Sequence, residues 1–197
     1  MTGQSMGRWD GEVTLVSQLA AAASLFAFLF YFRRGDLLLY GDAVAHINIA
    51  RRVIDSQTHG LLQLGTVWLP LPHLLMIPFL FSNAAWQTGI AGSIPSMCAY
   101  VLGTTGVFLL LRGSLSIQES ANSESVLKKP AIAARTAAWI GAIAYAANPN
   151  LLYMQTTAMT EVLYLAFFIW SVVYFSDFVR AFKSGESAQS RAVGSLV

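Results

Sequence analysis

The chain has 197 residues, 55% of them hydrophobic and 11% charged, with a formal net charge of +2. A soluble domain carries about 25% charged residues, so this composition cannot cover a soluble surface; it also excludes a disordered chain, a coiled coil and a nucleic-acid-binding module, each of which needs more charge. Cys98 is the single cysteine, which rules out an intrachain disulfide and a cysteine metal cluster.

The expected class is an all-α integral membrane protein with about four transmembrane helices plus amphipathic or interfacial helices on its outer face. Residues 1–12 read as a cytoplasmic N-terminus. Val13 to Phe32 is a run of 20 uncharged, mostly apolar residues, long enough to cross a hydrocarbon core of about 30 Å. It ends in Tyr31-Phe32-Arg33-Arg34, an aromatic and basic collar and not a cleavage site, so it reads as a retained span. An outer segment follows over residues 33–87. In it Tyr40-Gly41-Asp42-Ala43-Val44-Ala45-His46 opens a helical stretch that runs to Ser56. Asp42 and His46 are four apart and share a helix face, and Arg51 and Asp55 repeat the spacing as a surface pair.

No Asp, Glu, Lys or Arg lies between Asp55 and Arg112. Pro70, Pro72 and Pro78 break any straight span at the start of that stretch. Trp68, His73 and Trp86 suit the headgroup level, so residues 68–83 predict one or two short helices in the interface. The second span is expected over 88–111, with Pro95 early in it. A polar cytoplasmic loop is expected over 112–130, closing with Lys128-Lys129-Pro130. The third span, 131–147, has Arg135 near its start to snorkel, and Asn148-Pro149-Asn150 stops it. The fourth runs over 162–178, within a module of residues 13–182, and 183–197 read as a flexible cytoplasmic tail. With the N-terminus inside, eight of the twelve Lys and Arg residues are cytoplasmic, in keeping with the positive-inside rule.

Two acids stand out on the outer side. Asp42 reads equally well as an N-cap, its carboxylate accepting from the backbone N–H of Val44 or Ala45. Glu161 closes Gln155-Thr156-Thr157-Ala158-Met159-Thr160-Glu161 just before the last span, where the helix dipole favours a carboxylate. Carried to mid-bilayer the same charge costs up to about 3 kcal/mol. Two carboxylates on one side could hold a divalent cation or share general-base work. His46 alone reads as a polar interfacial residue. Neither Gly-x-Ser-x-Gly nor Gly-Lys-Ser/Thr occurs, so no serine elbow or P-loop is present.

These features, in this order, resemble the N-terminal module of polytopic GT-C glycosyltransferases: a first span, Gly41-Asp42 at a helix start, Val67-Trp68-Leu69-Pro70-Leu71-Pro72-His73, and an Asn-Pro loop before an acid. The pattern is similar to dolichyl-phosphate-mannose protein mannosyltransferase-like and aminoarabinose-transferase-like enzymes over residues 13–180. The resemblance implies inverting transfer of a sugar from a polyprenyl-phosphate donor to an acceptor hydroxyl on a lipid, glycan or protein, with membrane lipids and no nucleic acid as further partners. It implies Asp42 as catalytic base and Glu161 as an acid of the donor-phosphate or metal region, where Asp is commoner. His46, Arg51 and Arg52 fall on the donor-phosphate side, and Trp68 and His73 in the segment beside the acceptor. A divalent cation between Asp42 and Glu161 is the one cofactor class implied. Two departures are visible: relatives usually carry a Pro-Pro-Leu type segment where this chain has Leu69-Pro70-Leu71-Pro72-His73, and they continue through further spans. The chain is therefore expected to be the N-terminal piece of a longer enzyme, or a truncated form. The competing class is a non-enzymatic small membrane subunit or transporter component, which accounts for the spans but not for the order of the motifs.

Overall fold

The computed structural model describes residues 11–64, 67–121 and 132–194. Among them the chain is helical, with no strand. The elements are α1 (Gly11–Arg34), α2 (Gly41–Arg52), α3 (Pro70–Met76), α4 (Asn83–Thr88), α5 (Ile90–Ala121), α6 (Ile132–Ala146), α7 (Pro149–Met154) and α8 (Glu161–Gly194).

Three segments are long and apolar enough to cross a membrane: Gly11–Arg34, Ile90–Ser114 and Glu161–Phe182. The four spans expected from sequence thus reduce to three by length. The remaining one, α6, has 15 residues and reaches about 22 Å at 1.5 Å per residue, short of a core of about 30 Å.

α5 is the centre of the bundle, packed against α1, α6 and α8. Small residues bring the helices close, as in membrane bundles generally. Gly103 lies under the Tyr145 hydroxyl of α6, and Gly106 under Ile169 and Trp170 of α8. Tyr100 Oη donates to the Ala146 carbonyl at 2.6 Å, which supplies a donor to the C-terminal end of α6, and Trp170 Nε1 donates to the Leu102 carbonyl at 2.9 Å.

Polar contacts define the two ends of the bundle. At one, Glu12 of α1 bonds Arg135 of α6 at 2.6 Å and lies 3.8 Å from Arg112 of α5, while Arg180 of α8 lies against Gly113. At the other, Tyr153 donates to the Asp36 carbonyl, Ser24 to Gln155 and Ser93 to the Thr156 carbonyl. α1, α5, α6 and α8 therefore run alternately up and down between the same two ends. Residues 35–64, 67–89 and 147–160 gather at one of them.

Several boundaries differ from the sequence reading. α5 continues through Ala121, where a loop was expected from 112, because residues 113–121 hold good helix formers such as Leu115, Gln118 and Glu119 and no proline. The rest of that loop, 122–130, and the first residue of the expected third span, 131, lie outside the described residues. α8 likewise stays helical to Gly194, where a flexible tail was expected from 183. Asn148-Pro149 ends α6 but also opens α7: Asn148 Oδ1 accepts from the N–H groups of Asn150 and Leu151, with Pro149 at the first helical position. Ser82 caps α4 through the Ala85 N–H, an element absent from the sequence reading.

Candidate functional site

α2 carries the residues of interest, and its packing fixes where they point. It buries Ala43, His46, Ile47 and Ala50, the i, i+3, i+4, i+7 stripe of an amphipathic helix. Ala43, Ile47 and Ala50 of that stripe join one cluster with Met76 and Leu80 of the proline-rich segment, Ala91 at the start of α5, and Ala158 and Met159 before α8. Two segments far apart in sequence thus meet on α2.

Asp42 sits in the first turn of α2 and is exposed. It is not the N-cap that local sequence allowed. That position belongs to Tyr40, in extended conformation at φ −81 and ψ 129, and no side chain caps the helix. The dipole still favours a carboxylate there, but Asp42 makes no hydrogen bond or ion pair to a described residue. Its lone pairs are open to a ligand.

His46, read from sequence as a polar interfacial residue, lies one turn further on at 2% exposure. Its Nδ1 is 3.0 Å from Nε2 of His73, which is fully buried in α3. The Trp68 ring packs on His46 with centroids 4.7 Å apart. Burial holds the pKa of His46 below the ordinary histidine value, against the opposing pull of the Asp42 and Glu161 charges. His73 is also held low, by burial and by His46 itself. The packing of Ala158 and Met159 on α2 puts Glu161, two residues on, at the same end of the bundle as Asp42, His46, His73 and Trp68. Glu161 is exposed in the first turn of α8 and, like Asp42, is not hydrogen-bonded to a described residue.

Arg51 is differently employed. Its guanidinium donates to the Leu80 carbonyl, to Asp55 at 3.0 Å and to Asn83 Oδ1 at 2.7 Å, and lies 5.1 Å above the Trp86 ring. It ties the end of α2 to the turn before α4. The ion pair with Asp55 is the one the four-residue spacing announced. Arg52 beside it is exposed. They sit nine or ten residues after Asp42, about 14 Å along the helix axis, and five or six after His46, about 8 Å. Trp86 Nε1 adds a bond to Asn48 Oδ1 at 2.9 Å, so α4 is held to α2 at two points.

Asp42 and Glu161 supply two carboxylates near an imidazole, but among the described residues no three His, Cys, Asp or Glu side chains group to hold a metal ion. An apolar hollow of about 280 Å³ between α1, α5 and α6 is lined by residues such as Val16, Ala20, Trp139 and Ala142; none of its lining residues is titratable, so it offers no acid–base chemistry.

The histidine pair and the Arg51 staple were not visible in sequence. The one available signal was that His46 and His73 fall in stretches otherwise apolar, where a buried imidazole needs a partner. Comparison with family models, curated proteins and solved structures gives no match.

Proposed function

We propose that this chain is the catalytic-base module of a membrane glycosyltransferase that moves a sugar from a polyprenyl-phosphate donor to an acceptor hydroxyl on the outer face. In this reading α6 crosses as a short fourth span, the N-terminus is cytoplasmic, and the α2–α4 end lies outside. Asp42 takes the proton of the acceptor hydroxyl as its oxygen attacks the anomeric carbon; the bond to the lipid phosphate breaks, and the centre inverts. Arg52, exposed where Arg51 is engaged, offsets the charge of the departing phosphate. No step uses a metal.

The observation that carries this reading is that the first turns of α2 and α8, which hold Asp42 and Glu161, lie at one end of the bundle, where Ala158 and Met159 pack on α2. The alternation of α1, α5, α6 and α8 between the bundle ends supports the fourth crossing, and the grouping of Arg112, Arg135 and Arg180 at the far end supports its being cytoplasmic.

The test is transfer itself. Protein expressed from its whole reading frame, in vesicles holding a radiolabelled polyprenyl-phosphate sugar, is expected to release lipid phosphate and label an acceptor. Arg52→Gln is expected to slow this by at least tenfold. Absence of transfer with every hexosyl and pentosyl donor tried would contradict the proposal.

A further inference from the structure

The apolar hollow between α1, α5 and α6 takes no part in the proposed reaction, and its shape sets what can fill it. α1 and α6 both pack on α5 but leave a slot between them, because residues such as Ala20 and Ala23 on one wall and Ala142 on the other are small. The slot opens sideways past Leu19 and Ile143, which are 53% and 59% exposed. It runs from Val16 to Ala23 along α1 and from Trp139 to Ala147 along the other wall, so it is about 12 Å long. Spread over that length, about 280 Å³ gives a mean cross-section of about 23 Å². One hydrocarbon chain fits such a slot, whereas another helix, about 10 Å across, does not. Its one polar lining side chain, Thr104, is spent on the Tyr100 carbonyl at 2.9 Å, so nothing there holds water.

The two ends of the slot differ. Trp139 closes one, its ring edge-to-face with Phe108 at 5.4 Å and its Nε1 donating to Glu12 at 3.4 Å. At the other end α6 stops early. Its 15 residues reach about 22 Å, against about 36 Å for the 24 residues of α1. The chain leaves α6 at Ala147, on the slot opposite Ala23, and next to that level Ser24 donates to Gln155 at 2.7 Å. Arg34 at the end of α1 lies eleven residues past Ala23, about 16 Å further along the axis. Asn148 and Asn150 are exposed at this corner. In a bilayer of uniform thickness whose surface lay at Arg34, their amides would face hydrocarbon with no partner. A bilayer thinned beside the short span brings polar headgroups down to them.

Resting on the reading of α6 as a short fourth span, we propose that the slot is a binding site for one bilayer phospholipid, with its headgroup at the Asn148–Asn150 corner and one acyl chain between α1 and α6. A polar corner above an apolar slot matches the two parts of an amphiphile. The occupant is a bilayer lipid and not the polyprenyl donor, because no residue of α2, α3 or α8 lines the slot, whereas Asp42, Arg52 and Glu161 all lie on α2 or α8. The chain stands in for the side-chain packing that α1 and α6 lack there.

The test is photocrosslinking. Protein expressed from its whole reading frame is placed in phosphatidylcholine nanodiscs containing a trace of phosphatidylcholine with a diazirine on one acyl chain. After illumination, peptides covering residues 16–23 and 139–147 are expected to carry at least five times the label found on α8 around Phe167, Phe168 and Phe175, which are exposed. Ala23→Phe or Ala147→Phe fills the slot and is expected to cut its labelling at least fivefold while α8 labelling stays unchanged. Should neither variant fold, the wild-type ratio still decides. Equal labelling of slot and α8, or slot labelling that survives in a folded filled variant, would overturn the proposal. So would displacement of the label by equimolar polyprenyl phosphate, which gives the slot to the donor, or protein–protein crosslinks there in place of lipid ones.

Glycosyl transfer enters none of these readouts, so an unlabelled slot counts against the lipid and not against the reaction. The crossing by α6 is read separately. In a Cys98→Ser background, Asn150→Cys is expected to react with an impermeant maleimide added outside intact cells. Reaction only from the cytoplasmic side would remove the crossing on which the lipid site rests.

Discussion

Gly92, in the first turns of α5, packs against Ala158 with no room between them: a Cβ on Gly92 would overlap both the Cβ and the Cα of Ala158. This contact seats the turn before α8 on the start of α5, and with Ser93 donating to the Thr156 carbonyl at 2.6 Å it fixes where Glu161 begins the last helix. The backbone of residue 158 cannot swing aside as a flexible side chain would. Gly92→Ala is therefore expected to lower stability by about 1–3 kcal/mol through overpacking, and thermal unfolding in detergent would read the loss. An unchanged midpoint would mean that the turn is not held there.

Arg51 provides a second check on the same end of the bundle. Three hydrogen-bond acceptors and an aromatic face meet one planar guanidinium. A lysine ammonium keeps the charge but cannot fork between Leu80, Asn83 and Asp55 while lying on Trp86. Arg51→Lys is expected to destabilise by about 2 kcal/mol, near the value for Arg51→Ala, in keeping with lost charge-assisted bonds. Recovery of most of the stability by lysine would show that charge alone matters.

The histidine pair makes the fold sensitive to acid. Both rings are held below the ordinary histidine value, so between that lowered value and about 6.5 the unfolded chain binds more protons than the folded one. Their contribution is complete above about pH 6.5 and is lost as pH falls below it. The thermal midpoint is expected to be lower at pH 5 than at pH 7.5, and the difference to shrink in His73→Gln. A midpoint that rises on acidification would contradict the buried, neutral pair.

Sidedness is open to direct chemistry. In a Cys98→Ser background, Arg52→Cys is expected to react with an impermeant maleimide added outside intact cells. Labelling only after the cytoplasmic side is opened would reverse the orientation proposed for the bundle.

Much of the architecture was legible in the sequence, for reasons particular to each element. The uncharged run ending at Tyr31-Phe32-Arg33-Arg34 announced α1, and the four-residue spacings in 41–55 announced α2 and the Arg51–Asp55 pair. Pro70 and Pro72 announced a short helix where composition alone suggested a span. What was not legible depends on partners distant in sequence. The polar runs at 113–121 and 183–194 read as loop and tail because hydropathy marks the end of a span and not the end of a helix. Asn148-Pro149 read as a stop because the same residues that end one helix cap the next. His46 looked like a lone polar residue because its partner His73 is 27 positions away in another helix.

The central claim is that Asp42 is a proton acceptor at a substrate site and not a helix cap. Since no side chain caps α2 and Asp42 makes no hydrogen bond to a described residue, Asp42→Asn is expected to change stability by less than about 1 kcal/mol. The decisive measurement is glycosyl transfer by Asp42→Asn in the whole reading frame, alongside its thermal midpoint. The account expects transfer to fall at least a thousandfold while the midpoint stays within a few degrees of wild type. Transfer retained within tenfold of wild type by a folded Asp42→Asn protein would contradict it.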